Sequence, residues 1–332
     1  MTAFLICIIL GPRIIKWLSG LSVHNATERS HAKQIHQFFA HKNKVPTMGG
    51  ILIVLSVLVS CALWGNFSNS FFILALVSLI CYCTVGFLDD YLKLISKSSQ
   101  GLSARTKLIG QLVIGISIGI FLYLDPYFDK TLHMPFFKNT HFDLWLLFIP
   151  FVMMVLVGTS NAINLTDGLD GLAIGCFVIA MGVFAIMAYI VGRVDYSTYL
   201  EIQHIERAGE LTVFCAAMIG AGAGFLWYNS YPATIMMGDT GSLSLGGALG
   251  IVAILIKKEF VLLVVGGIFV WEALSVILQV GSFKLTRKRI FLMSPFHHHL
   301  QLRGWPESKV TIRLWIIAFI CALVGLSMLK LQ

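Results

Sequence analysis

Apolar residues run in long stretches along this chain, near residues 2 to 18, 49 to 64, 71 to 88, 106 to 124, 144 to 160, 171 to 191, 211 to 228, 241 to 256, 259 to 281 and 310 to 329. Crossing the hydrocarbon of a bilayer takes roughly 20 mostly apolar residues per helix, so the pattern predicts an all-α polytopic membrane protein with about ten transmembrane helices. No long linker or repeat interrupts it, and residues 1–332 read as a single integral membrane domain. Glycines within the runs, such as Gly115 and Gly119, suit close helix packing. The first run is short and leads into Gly11-Pro12-Arg13 instead of a small-residue cleavage site. No cleavable signal is expected, and the first helix reads either as clipped or as leaning on its neighbours.

Composition sharpens the class. Hydrophobic residues make up 57% of the chain and charged residues 12%, with a mean hydropathy of +0.84, which excludes an ordinary soluble domain. The seven cysteines all lie in apolar stretches without zinc or disulfide spacing, and read as small apolar fillers.

Lys and Arg set the orientation. The first loop and its flank carry Arg13, Lys16, Arg29, Lys33, Lys42 and Lys44, the third Lys93, Lys97, Arg105 and Lys107, and the ninth Lys284, Arg287, Lys288, Arg289, Arg303 and Lys309. Even-numbered loops and the C-terminal tail are much poorer. Odd-numbered loops are therefore expected in the cytoplasm and both termini outside. Every polar cluster with chemical potential falls on the odd loops. A solute transporter would more often place its ionisable residues near the bilayer midplane, where only Glu272 is a candidate.

Asp89-Asp90 stands where the third apolar run stops. Adjacent carboxylates repel, so the pair reads either as a site for a divalent cation or basic partner, or as a solvated helix end with Lys93 on the next turn. Between Asn161 and Asp170, the residues Asn161, Asn164 and Asp167 are spaced by three, along one face of a helical turn. Such groups can read a uracil, a ribose or hydrated magnesium, and they also build capped turns. Asp239, flanked by glycines in Met237-Gly-Asp-Thr-Gly-Ser242, opens the eighth helix. It could cap that helix, or hold magnesium while backbone amides approach phosphate. His297, His298 and His299 follow Pro295-Phe296. In an extended stretch only His297 and His299 would share a side, which disfavours zinc and leaves a phosphate-facing basic loop or a topogenic one. Glu272 reads as a paired structural carboxylate.

Together these residues resemble the polyprenyl-phosphate N-acetylhexosamine-1-phosphate transferase superfamily. The resemblance covers nearly the whole chain. It is carried by Asp89-Asp90, the Asn161-x-x-Asn164-x-x-Asp167-Gly-x-Asp170-Gly run and Gly238-Asp239. Pro46 to Gly50, Glu272 to Val280 and the stretch from Pro295 through Gly304-Trp-Pro-Glu-Ser-Lys-Val310 narrow it to the branch that uses UDP-N-acetylmuramoyl-pentapeptide and undecaprenyl phosphate and releases UMP. The resemblance implies Mg2+ as cofactor with Asp239 as its ligand. It implies Asp89, Asp90, His297 and His298 as essential groups, and Asn164, Asp167, Asp170 and Gln279 as nucleoside-side or diphosphate-side contacts. Lys42, Thr47, Lys107, Asn161 and His299 are expected as further substrate contacts. Met236 stands where the family commonly has a Phe, so stacking on uracil becomes a sulfur-aromatic contact. The expected setting is the bacterial plasma (inner) membrane, with the active site facing the cytoplasm. Expected partners are the two substrates, the lipid bilayer and a second copy in a homodimer, without nucleic acid.

The implied reaction is one in-line displacement, since a phosphate monoester with a second pKa of about 6 is already anionic near neutrality. A covalent aspartyl intermediate at Asp89 or Asp90 is the competing route. Competing functions are a sister transferase of N-acetylglucosamine-1-phosphate, a proton-coupled transporter using Glu272, and a noncatalytic scaffold.

Overall fold

A computed structural model describes residues 1–21, 45–96, 101–133 and 141–331. Each apolar run forms helix: α1 (Thr2–Gly20), α2 (Gly50–Trp64), α3 (Ser70–Ser96) and α4 (Ala104–Leu124) are followed by a hairpin of β1 (Thr131–His133) and β2 (His141–Asp143). Then come α5 (Phe148–Thr166), α6 (Leu172–Val191), the short α7 (Val194–Tyr199), α8 (Leu211–Asn229) and α9 (Gly238–Leu255). The ninth apolar run is broken at Gly266 into α10 (Glu259–Val265) and α11 (Gly267–Thr286). After α12 (Phe296–Leu302) the chain ends in α13 (Glu307–Ser327) and a 3-10 turn.

Among the described residues, nine helices are long and apolar enough to cross a membrane. The tenth expected span, α2, has 15 residues, a rise of about 23 Å against the roughly 30 Å of hydrocarbon. The polytopic all-α expectation stands, with α2 matching its run, which is itself short for a span.

Helix α9 is the axis of the molecule. Every residue from Thr240 to Leu255 is buried, as expected of a helix without a polar face. Helices α3, α5 and α2 pack around it. Peripheral helices turn Leu, Ile, Val and Phe outward at helical spacing: Ile109, Val113, Ile116 and Ile120 on α4, and Ile312, Ile316, Phe319 and Leu323 on α13 are exposed. That is the face a lipid environment selects.

One contact decides where the chemistry lies. Gly86 of α3 sits against the backbone of Asp239 and Thr240, where a Cβ would collide with the Asp239 carbonyl. Close backbone approach at a small residue brings the last turns of α3 onto the start of α9. The opposite end of the bundle holds a cavity of about 740 Å³ lined in part by Asn69, Tyr127, Asp129, Arg207 and Lys257. Its cations are paired within the chain, Arg207 with Asp125 at 2.6 Å and Lys257 with Glu259 at 3.5 Å. The hydrogen bond from Arg207 holds the Asp125 carboxyl below its usual range.

Candidate active site

The site is assembled at the N-terminus of α9. Gly238 has φ +73°, a left-handed value that favours glycine, and it turns the chain so that Asp239 lies in the first helical turn. A carboxylate there is favoured by the positive end of the helix. The strand-like entry to α2 fixes this turn: Met236 N donates to Pro46 O at 2.8 Å, while Gly49 N and Gly50 N donate to Met236 O and Met237 O at 2.9 Å each. Thr47 is thereby held beside Gly238.

Helix α3 does not stop at Asp89-Asp90, as the apolar run suggested, but continues to Ser96. Its extra turn is what places Lys93, at i+4 and i+3, back over the pair. Asp89 and Asp90 are 3% and 2% exposed, and they face different partners. Asp90 Oδ2 accepts from Thr240 N at 2.9 Å and Thr240 Oγ1 at 2.7 Å. Asp89 Oδ1 accepts from Leu102 N at 2.9 Å.

Asp239 is the hub. Its Oδ1 accepts from Asn164 Nδ2 at 2.6 Å, and its Oδ2 from Lys93 Nζ at 2.8 Å and Lys107 Nζ at 3.0 Å. Lys93 Nζ also lies 2.5 Å from Asp89 Oδ2 and 3.5 Å from Asp90 Oδ1. Asn164 donates a second bond to Ser242 Oγ at 2.8 Å, which in turn donates to Gly238 O at 3.0 Å. Helices α3, α4, α5 and α9 thus meet in one polar network.

Oxygens of Asp89, Asp90 and Asp239 lie within 4.8 Å of one another. Carboxylate oxygens so grouped suit a hard divalent cation such as magnesium, which binds through a few carboxylates and keeps several waters. Asp89 Oδ2 is buried without a well-aligned hydrogen bond, with the Lys93 ammonium against it. This donor set fits the cofactor that the sequence implies.

Other expected residues are arranged differently. Asn161 shares the Asn164 face of α5 but donates to Gln111 Oε1 at 2.6 Å and Val157 O at 2.8 Å, away from Asp239. Asp167 caps the end of α5. Asp170 Oδ2 accepts from Ala233 N at 3.0 Å, tying this turn to the segment before α9. Met236 is half-buried with its sulfur 3.9 Å from Asn229 Nδ2. Gln279 spends its amide on the backbone of Ile290 and Phe291, accepting at 3.1 and 2.9 Å and donating at 3.0 Å. Lys42 lies outside the described residues.

The histidines are not extended. They occupy α12, a short helix, so the side-sharing that an extended stretch would give His297 and His299 does not arise. His297 is fully buried, its Nδ1 3.2 Å from Glu272 Oε2, and its ring packs against Gly168. Glu272 is the paired carboxylate expected. His298 Nδ1 meets Gln301 Oε1 at 2.9 Å. His299 Nδ1 accepts from Leu292 N at 3.1 Å, between the rings of Phe291 and Phe296. Burial, aided by Arg303, pushes the His299 pKa down.

Sequence reading missed Gln111, Asn229, Thr240 and the centrality of Lys93. Only Lys93 carried a signal, its spacing from the acidic pair.

The family model for glycosyl transferase family 4 matches residues 71–257, from α3 to just past the end of α9. Proteins named phospho-N-acetylmuramoyl-pentapeptide-transferase match the whole chain. That of Pelobacter propionicus is 49% identical over 100% of this chain and 91% of its own length. That of Geobacter sp. strain M21 is 50% identical over the same shares, and that of Thermodesulfovibrio yellowstonii 49% over 100% and 92%. The chain therefore belongs to glycosyl transferase family 4, in the branch of the phospho-N-acetylmuramoyl-pentapeptide-transferases.

Proposed function

We propose that the chain transfers phospho-N-acetylmuramoyl-pentapeptide from UDP-N-acetylmuramoyl-pentapeptide to undecaprenyl phosphate, releasing UMP and forming lipid I, at the cytoplasmic face of the bacterial plasma membrane. The observation that carries this reading is the meeting of Asp89, Asp90 and Asp239 with Lys93, Lys107 and Asn164 at the bundle end whose loops hold most of the Lys and Arg. That end faces the cytoplasm by the charge rule, where a nucleotide substrate is available.

Magnesium held by Asp239 with Asp89 and Asp90 would neutralise charge on the diphosphate. The remaining work is positioning, which dominates phosphoryl transfer. Asn164 and Lys107 fix Asp239, while Thr240 fixes Asp90. Thr47 and Met236, on the paired segments beside Gly238, border the place where nucleotide or diphosphate would approach, together with Asp167; Lys42 is assigned to substrate by the resemblance alone. Asp170, Gln279 and His299 bond mainly to backbone and hold the surrounding loops. His297 and His298, with ring centroids 4.2 Å apart, set the wall behind the 167–170 turn. The lipid phosphate, already ionised, attacks the sugar-side phosphorus, and the bond to the UMP oxygen breaks.

The test is purified protein given undecaprenyl phosphate with either UDP-N-acetylmuramoyl-pentapeptide or UDP-N-acetylglucosamine, scoring UMP. Release from the first alone supports this reading. Release from the second alone makes the chain a sister transferase, and release from neither removes the transferase reading.

A further inference from the structure

Lys93 stands where the cation belongs. Its Nζ lies 2.5 Å from Asp89 Oδ2, 2.8 Å from Asp239 Oδ2 and 3.5 Å from Asp90 Oδ1, so one ammonium touches all three carboxylates. An ammonium carries three N–H donors in a tripod and is a compact point charge. Three oxygens within 4.8 Å of one another suit N–H···O contacts of about 2.8 Å. A magnesium ion needs oxygens at about 2.1 Å and hence ligands about 3 Å apart, in the same space. The lysine nitrogen and a divalent ion therefore exclude each other, by volume and by like charge at short range.

Lys107 differs. It touches one carboxylate, Asp239, from the first turns of α4. Lys93 is free to leave, because its side chain is 34% exposed and springs from the last turn of α3.

We propose that Lys93 is a placeholder cation: it holds the Asp89-Asp90-Asp239 cluster together without metal, is displaced when a divalent ion enters, and is thereby released beside the site as a cation for phosphate oxygens. The carboxylates then stay folded and aligned in the metal-free protein, where three unneutralised charges would repel one another. Metal entry becomes an exchange, and the released ammonium appears only once metal is in place. The inference rests on the magnesium reading above.

The experiment is manganese binding to the substrate-free full-length protein in detergent, followed by electron paramagnetic resonance of free Mn2+, with thermal unfolding measured in parallel. Lys93→Met keeps the stem and removes the charge. The expected result is manganese bound at least tenfold more tightly than by wild type. The melting temperature falls without metal, and added manganese raises it by more than in wild type. Lys107→Met should tighten binding clearly less. Asp239→Asn, which removes the shared carboxylate, reports whether binding occurs at this cluster. Equal tightening in both lysine variants would mean general electrostatics and overturn the exchange. Unchanged or weaker binding in Lys93→Met, with wild-type binding that Asp239→Asn abolishes, would overturn the placeholder while leaving the metal reading intact. No binding by wild type or Lys93→Met, or binding that Asp239→Asn leaves unchanged, would overturn both.

Discussion

Asn164 Nδ2 donates to Asp239 Oδ1 at 2.6 Å across 75 positions of sequence, and this bond aims the central carboxylate. It leaves Oδ2 for the two lysines. Asn164→Ala should leave the protein folded and lower turnover about 100-fold, the usual consequence of an ångström-scale misplacement of a reacting group. UMP release and the melting temperature, measured on the same preparation, check it. Wild-type turnover would show that Asp239 needs no such guide.

Thr240 gives Asp90 two hydrogen bonds, one from its amide and one from its hydroxyl. Thr240→Val keeps the shape and the amide bond but removes the hydroxyl. A hydrogen bond to a buried charged group contributes about 1.5–3 kcal/mol, so stability should fall by an amount in that range. Denaturation in mixed micelles measures it. A loss well below that range would mean that the Asp90 charge is satisfied elsewhere.

His299 carries a pH dependence whose sign is fixed. Burial lowers its pKa, and its Nδ1 must be unprotonated to accept from Leu292 N. Above the ordinary histidine value of about 6.5 the ring is neutral folded and unfolded, and its stabilisation is fully present. On acidification the unfolded chain takes up the proton first, so stability falls progressively as pH drops from there towards the lowered folded value. Melting temperature against pH should show this decline in wild type, and His299→Phe should lack that component. Identical pH profiles would contradict it.

Much of the fold was legible because membrane burial writes itself into long apolar runs, and the runs from 171 to 191 and 211 to 228 became α6 and α8 almost end for end. Hydropathy stops at the first charge, however, so it ended α3 at Asp89 although the helix continues to Ser96. That hid Lys93. The acidic triad was legible by residue type and by resemblance, whereas pairing was not. Gln111 sits within an apolar run and gives no sign that it meets Asn161. Gln279 looked free for substrate, yet its amide is taken by backbone that follows α11 by only a few residues. The histidine run was weighed only for an extended stretch, while seven residues suffice for the short α12.

Direct displacement and a covalent aspartyl route differ in one exchange reaction. Asp89 and Asp90 are engaged by Leu102, Thr240 and Lys93, an arrangement suited to holding charge in place. Protein stripped of lipid should therefore not exchange labelled UMP into UDP-N-acetylmuramoyl-pentapeptide, because no half-reaction exists without the lipid phosphate. Robust exchange, lost in Asp89→Asn or Asp90→Asn, would make the pair a nucleophile.

Asp239 gathers the bonds of Asn164, Lys93 and Lys107, and it supplies the sharpest test. Asp239→Asn keeps the size of the side chain and can still meet Asn164, but a neutral amide is a poor ligand for a hard divalent cation. UMP release from UDP-N-acetylmuramoyl-pentapeptide and undecaprenyl phosphate should be measured across a magnesium titration, for wild type and variant. Wild type should need magnesium, and the variant should be slower by about a thousandfold, the equivalent of several kcal/mol of lost transition-state stabilisation. Near-normal turnover of the variant at modest magnesium, or full wild-type turnover in a chelator, would contradict the account.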